Sequence, residues 1–336
     1  MHTLLDPAIL FFVFGVLAGA LRSNLDIPEP IKKFLSLYLL MALGLKGGFA
    51  LAQSGMNPGV AAGLAAAVFM AFLVPSIGYL LLRRVASRFD AAAVAASYGS
   101  VSAVTFVTAT QYLDNAGTDF GGHMTAAMVL MESPAIIMAV LLANAARQAV
   151  SAPAVVASGG GAAVMTAGAG TPGTPIGRIL HESFTDGAQL LLIGAMFIGY
   201  FSGEAGKAVM QPFAGDLFKG MLAFFLLDMG LMVARNFDLA RKASRWLLVY
   251  ATVAPVVHAA IALALAAALG MGAGDATLLM VLSASASYIV VPAVLRTAIP
   301  EANPALYFGL SLGITFPLNL LIGIPVYAAA AARVLG

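Results

Sequence analysis

The chain alternates long apolar runs with short polar connections. The runs fall near residues 8–21, 34–52, 59–82, 91–112 and 123–145, then near 187–202, 219–234, 246–271, 276–298 and 305–332. About 20 residues of apolar helix cross the ~30 Å hydrocarbon layer of a bilayer. The pattern therefore predicts an all-α polytopic membrane protein with ten transmembrane helices, several of them short or interrupted by Gly and Pro. Interrupted backbone is tolerated in a membrane only where it is buried in protein or lines a cavity.

Polar positions inside the runs repeat between the two halves. Residues 90–147 hold Asp90, then Ser97-Tyr98-Gly99-Ser100-Val101-Ser102, then a predicted interruption at Met131-Glu132-Ser133-Pro134. Residues 275–333 hold Asp275, then Ser283-Ala284-Ser285-Ala286-Ser287-Tyr288, then a predicted interruption at Ile314-Thr315-Phe316-Pro317. Lys33 and Gly44 in the second run match Lys219 and Gly230 in the seventh at a constant offset. Residues 149–177, built of Ala, Gly, Ser, Thr and Pro, read as a flexible cytoplasmic linker. Five runs on either side of it set the halves in opposite orientations. The expectation is two inverted five-helix repeats, 1–148 and 178–336, and paired broken helices of this kind mark a secondary transporter's binding site.

Composition agrees with lipid as the solvent: the chain is 61% hydrophobic and 10% charged, with a mean hydropathy of +0.96. The N-terminal run is kept as a first span, because His2 and Asp6 replace the basic leader of a cleavable signal. With the N-terminus on the outer face, thirteen of the 17 cations fall in inward loops, among them Arg83, Arg84, Arg88, Arg178, Arg241 and Lys242. That asymmetry places both termini on the outer face. The net charge of +2 is thus a topology signal, and nucleic acid is not an expected partner. The absence of cysteine excludes disulfides and thiolate chemistry. Gly168-Ala169-Gly170-Thr171-Pro172-Gly173 matches a dinucleotide fingerprint in form only, since no strand precedes it. With no hydrolase elbow, zinc-binding histidine pair or phosphate loop either, the chain does not read as an enzyme.

Candidate chemistry lies at the breaks. Gly99, Ser100, Val101, Ser102 and Thr105 face Ser285, Ser287, Tyr288 and Ile289 as the expected substrate-binding residues, because helix N-termini meeting there suit a small anion. The alternative is that such small residues only let helices pack closely, as Gly15-Val16-Leu17-Ala18-Gly19 is expected to do. Charges inside apolar runs are costly and need a role. Glu132, Lys46, Asp228 and Asn319 are the ion-coupling candidates. Lys46 and Asp228, at nearly symmetric positions, are candidates for an ion pair, and Asn319 either caps a broken tenth helix or holds a cation. His258 reads as a helix-to-helix hydrogen bond, and Trp246 and Tyr250 as interfacial anchors.

Several segments together resemble the sodium-dependent bicarbonate transporter family: Leu25-Asp26-Ile27-Pro28-Glu29, Gly44-Leu45-Lys46-Gly47-Gly48, Tyr98-Gly99-Ser100-Val101-Ser102, Ala254-Pro255-Val256-Val257-His258, Ile299-Pro300-Glu301-Ala302-Asn303-Pro304 and Gly323-Ile324-Pro325. The resemblance implies an elevator-type fold, a homotrimer, sodium symport of bicarbonate, a bacterial inner (plasma) membrane location and a PII-like regulatory partner. Sodium would be the coupling ion, with no other cofactor. The chain departs from the family's ninth-span pattern: Tyr288 stands at its site aspartate and Val290 at its site serine, while Lys46 replaces a commonly uncharged residue. Proton-coupled or uncoupled passage of a small carboxylate or other anion is the alternative.

Overall fold

The computed structural model describes residues 6–55, 57–151, 187–241 and 243–336, and among these it is helical without strands. Seven stretches are long and apolar enough to cross a membrane: Glu29–Gln53, Pro58–Leu82, Arg88–Ala116, His123–Asn144, Gln189–Arg241, Arg245–Ala268 and Pro304–Leu335. Two shorter apolar helices, Pro7–Ala20 and Ala273–Ala284, accompany them. Most of the linker predicted at 149–177, with the glycine fingerprint, Arg178 and Lys242, lies outside the described residues.

In chain order the helices are α1 (Pro7–Ala20), α2 (Glu29–Ser54), α3 (Pro58–Leu82), α4 (Arg88–Gly99), α5 (Ala103–Ala116) and α6 (His123–Ser151). They continue as α7 (Gly187–Met210), α8 (Leu217–Arg241), α9 (Arg245–Ala268), α10 (Ala273–Ala284), α11 (Val290–Ala298) and α12 (Pro304–Leu335). Local chemistry sets their ends. Asp6, Asn57 and Asn303 each accept a first-turn amide just before a proline that suits the first helical position. Ser87 accepts the Asp90 amide at 3.0 Å as the N-cap of α4 and donates its hydroxyl to the Asp90 carboxylate at 2.7 Å. Gly117, in the left-handed region at φ 65°, ends α5.

Two helix pairs pack backbone to backbone. α1 lies along α8, where a Cβ on Gly15 would run into the Leu227 carbonyl and one on Gly230 into the Phe12 carbonyl. α2 lies along α7, where a Cβ on Gly44 would sit 2.5 Å from the Leu192 oxygen and one on Gly48 would strike the Met196 carbonyl. The small residues of the first run therefore do serve close packing, as the sequence suggests. The remaining helices form a second body: α3, α4 and α6 pack together, as do α9, α10 and α12. The bodies meet through α2 on α6 and α8 on α12.

Polar ties repeat across the halves. Asp90, at the start of α4, accepts the Asn303 amide at 2.7 Å, and Asp275, at the start of α10, accepts the Gly121 amide at 2.6 Å. Each carboxylate thus fixes the loop entering the last helix of the other half. Beside the first of these loops, Arg147 grips both oxygens of Glu301 at 2.8 and 2.9 Å and holds that carboxyl below the usual carboxylate range.

Three expectations need correction. The fifth run is not interrupted: α6 continues through Pro134 and on to Ser151, three residues into the predicted linker. The tenth run is not broken either. Its backbone stays helical, with φ −66° and ψ −41° at Thr315, while π-turns at Ser311–Thr315 and Asn319–Gly323 flank Pro317. Widening the hydrogen-bond ladder on both sides of the proline absorbs its missing amide without ending the helix. Tyr250 is no interfacial anchor: it is buried edge-on against Tyr98 with ring centroids 5.1 Å apart, whereas Trp246 is exposed.

Asp90→Ala and Asp275→Ala each remove a charge-assisted bond to a backbone amide, about 1.5 kcal/mol. Thermal unfolding of purified protein should show both variants melting below the wild type by similar amounts. A loss confined to one of them would show that the two ties are not equivalent.

Candidate functional site

The fourth and ninth runs are broken where their serines cluster. α4 stops at Gly99 and α5 starts at Ala103; α10 stops at Ala284 and α11 starts at Val290. Ser100 (φ −94°, ψ −177°), Ser102 (φ −104°, ψ 108°) and Ser285 (φ −81°, ψ 167°) are extended. At Gly99 the backbone passes over Pro75 of α3, and an added Cβ would lie 2.6 Å from the proline ring. Only glycine fits that crossing.

The two extended stretches satisfy each other. The Ser102 amide donates to Ser285 Oγ at 3.0 Å, and the Ser287 amide donates to the Ser97 carbonyl at 2.8 Å. Away from water, backbone groups freed by a helix break must find partners, and here each break supplies them to the other. Asn319 of α12 completes the arrangement. Its Nδ2 donates to the Ala284 carbonyl at 2.7 Å, and its Oδ1 accepts from the Tyr327 hydroxyl at 3.0 Å. Asn319 therefore closes the end of α10. It does not cap its own helix, and its carbonyl oxygen is already engaged.

Ser102 is the hub of the first break. Its hydroxyl accepts from the Thr105 amide at 3.2 Å and the Thr105 hydroxyl at 2.9 Å, and donates to the Tyr288 hydroxyl at 3.3 Å. With its oxygen accepting, Tyr288 keeps its own O–H to donate. Next to it lies a cavity of ≈ 80 Å³ lined by Val101, Ser102, Ala103 and Val104 from one break and Ser287, Tyr288 and Ile289 from the other. Ser36 and Leu39 of α2, Glu132 of α6, Gln189 of α7 and Phe225 of α8 close it. Both α5 and α11 begin at this cavity, and the first-turn amides of Ala103 and Val104 have no carbonyl to bond within their helix. Two helix N-termini, the Ala103 and Val104 amides and a phenol donor make one donor-rich side, which suits a small anion, while the Glu132 carboxylate lines the same cavity.

Of the residues singled out from sequence, Val101, Ser102, Ser287, Tyr288, Ile289 and Glu132 line the cavity. Gly99, Thr105 and Ser285 stand behind it, shaping the backbone and holding Ser102. Ser100 is fully buried, and its hydroxyl, like those of Ser97 and Ser283, has no hydrogen-bond partner among the described residues. Lys46 and Asp228 do not pair with each other. Lys46 lies 3.5 Å from Asp114 and 4.4 Å above the Phe218 ring, whereas Asp228 lies 3.8 Å from Lys32. Sequence symmetry places residues along a helix, not around it, so matched positions on α2 and α8 point to different partners. His258 meets the backbone of Ser283 on α10, the helix-to-helix contact expected of it. Gln189 went unnoticed in the sequence; its amide donates to the Glu132 carboxylate inside the cavity. A lone amide at the head of an apolar run carries no motif that would reveal this.

Comparison with known proteins places the geometry in a family. No curated protein matches the chain at a significant level. The sequence profile of the Na+-dependent bicarbonate transporter superfamily matches residues 7–332, nearly the whole length. With its helices long and apolar enough to span a bilayer and a donor-lined cavity between two broken ones, the chain belongs to the Na+-dependent bicarbonate transporter superfamily.

Proposed function

We propose that the chain is a secondary transporter of a small monoanion, bicarbonate or a close chemical relative, which binds between the start of α5 and the start of α11. The observation that carries this reading is the small cavity walled by Ala103 and Val104 at one helix N-terminus, Ser287 and Ile289 at another, and the Tyr288 hydroxyl. Gly99, Ser100, Thr105 and Ser285 would hold the binding backbone in shape. The family's sodium dependence favours sodium as the coupling ion. The unbonded hydroxyls of Ser97, Ser100 and Ser283 offer it neutral oxygens, and Glu132 offers an acidic group inside the anion cavity. An anion and a carboxylate in so small a space repel unless a cation accompanies them.

The repeated ties across the halves support ten spans arranged as two inverted repeats. α1 pairs with α8 as α2 pairs with α7, and Asp90 caps the second half as Asp275 caps the first. The division into a glycine-packed body of α1, α2, α7 and α8 and a body carrying both breaks supports an elevator-like mechanism, in which the second body carries the anion past the first. Tyr288 also favours a second reading. A phenol in place of the family's site aspartate trades cation ligation for anion donation, so proton-coupled or uncoupled passage of a small carboxylate fits the same cavity. The inner-membrane orientation, trimer and PII-like partner implied by the resemblance belong to this proposal as well.

Reconstituted protein should take up bicarbonate under an inward sodium gradient. Ser102→Ala removes a helix cap worth ~1 kcal/mol together with the Tyr288 partner, and should raise KM about tenfold. Tyr288→Phe should raise it as well, and uptake untouched by both substitutions would overturn the site.

Glu132→Gln should leave uptake less dependent on the cation gradient. Replacing the sodium gradient with a proton gradient in the same vesicles separates the two coupling ions. A fully gradient-dependent Glu132→Gln variant would remove Glu132 from the coupling role.

A further inference from the structure

The anion cavity is not the only space between the two bodies. A second cavity of ≈ 830 Å³ lies at the far ends of α2 and α5. One face of each helix lines both spaces. α5 presents Val104 and Val107 to the small cavity and then Thr110 and Asp114 to the large one; α2 presents Leu39 and then Leu43 and Lys46. Steps of three and four residues keep these side chains on one helical face, so a single stripe of each helix borders the large cavity and then the small one. In the orientation that the loop cations support, it opens on the outer side and is the vestibule.

Lys46 and Asp114 face each other across this stripe from different bodies, 3.5 Å apart, with side chains 33% and 43% exposed. The other two vestibular lysines are engaged elsewhere: Lys207 lies 3.8 Å from Glu204, and Lys219 donates to Asn115 at 3.2 Å. Asp119 and Asp216 balance them by charge, so Lys46 becomes a net cation on the stripe toward the small cavity only when Asp114 leaves it. We propose that Lys46 is the anion-capturing residue of this vestibule and that Asp114 is a counter-ion which the incoming small inorganic anion displaces. A water-exposed pair is held by at most ~1 kcal/mol, so exchanging one anion for another there costs little. The Phe218 ring beneath the ammonium keeps Lys46 in place while Asp114 swings away. A cation in a narrowing cleft raises the local concentration of anions and their rate of entry.

The inference rests on the transport reading, and initial rates of bicarbonate uptake in reconstituted vesicles test both. Lys46→Gln should raise KM about tenfold at low ionic strength while kcat holds, and Lys46→Arg should restore the low KM. The difference should shrink as added impermeant salt shortens the Debye length toward ~3 Å at 1 M. Asp114→Asn should lower KM, because it frees the lysine. A merely structural pair would move both single variants in the same direction, and that result, or an unchanged KM in Lys46→Gln, would overturn the proposal. Absence of bicarbonate uptake by the wild type would instead remove the transport reading, and this inference with it.

Discussion

Backbone amides and carbonyls released from a helix inside a membrane have no water to turn to, and the structure depends on how that constraint is met. The two breaks meet it jointly. Ser285 Oγ takes the Ser102 amide, and the Ser97 carbonyl takes the Ser287 amide, so each break supplies a partner to the other. Asn319 then seals the exposed end of α10. The Ser102 and Ser287 hydroxyls take the Thr105 and Val291 amides, and what remains on the donor side is the Ala103 and Val104 amides and the phenol of Tyr288. Donors on the break side and the Glu132 carboxylate on α6 then share one small cavity, the pairing that the proposed anion and its accompanying cation would require.

The rest of the chain holds that crossing in place at two different levels of rigidity. Glycines bring α1 onto α8 and α2 onto α7 at backbone distance, which leaves those pairs little room to slide. The bodies themselves meet more lightly, through α2 on α6, α8 on α12 and the walls of two cavities. Tight packing within each glycine pair and lighter contact between α2 and α6 is a pattern compatible with the proposed elevator-like movement. Carboxylates at the starts of α4 and α10 tie the halves of the break-bearing body together.

Much of this was legible in the sequence, for identifiable reasons. Apolar runs report helices because lipid enforces them, and serine clusters beside Gly99 report breaks because hydroxyls and small side chains let a freed backbone find partners. Proline misled. Pro134 and Pro317 lie in helices packed by neighbours, and α12 absorbs its proline with π-turns that no residue pattern announces. Direction around a helix was also hidden. Lys46 and Asp228 occupy matched heights but turn to Asp114 and Lys32, and Tyr250 turns inward to Tyr98. Asp90 and Asp275 were visible as a pair, yet their reach into opposite halves exists only once the chain has folded.

The central claim is that an anion sits between the two helix starts. An experimental structure determined in saturating bicarbonate tests it most directly. The account predicts density within hydrogen-bond distance of the Ala103 and Val104 amides and the Tyr288 hydroxyl. A cavity empty of anion under those conditions, with bicarbonate bound elsewhere in the protein, would contradict it.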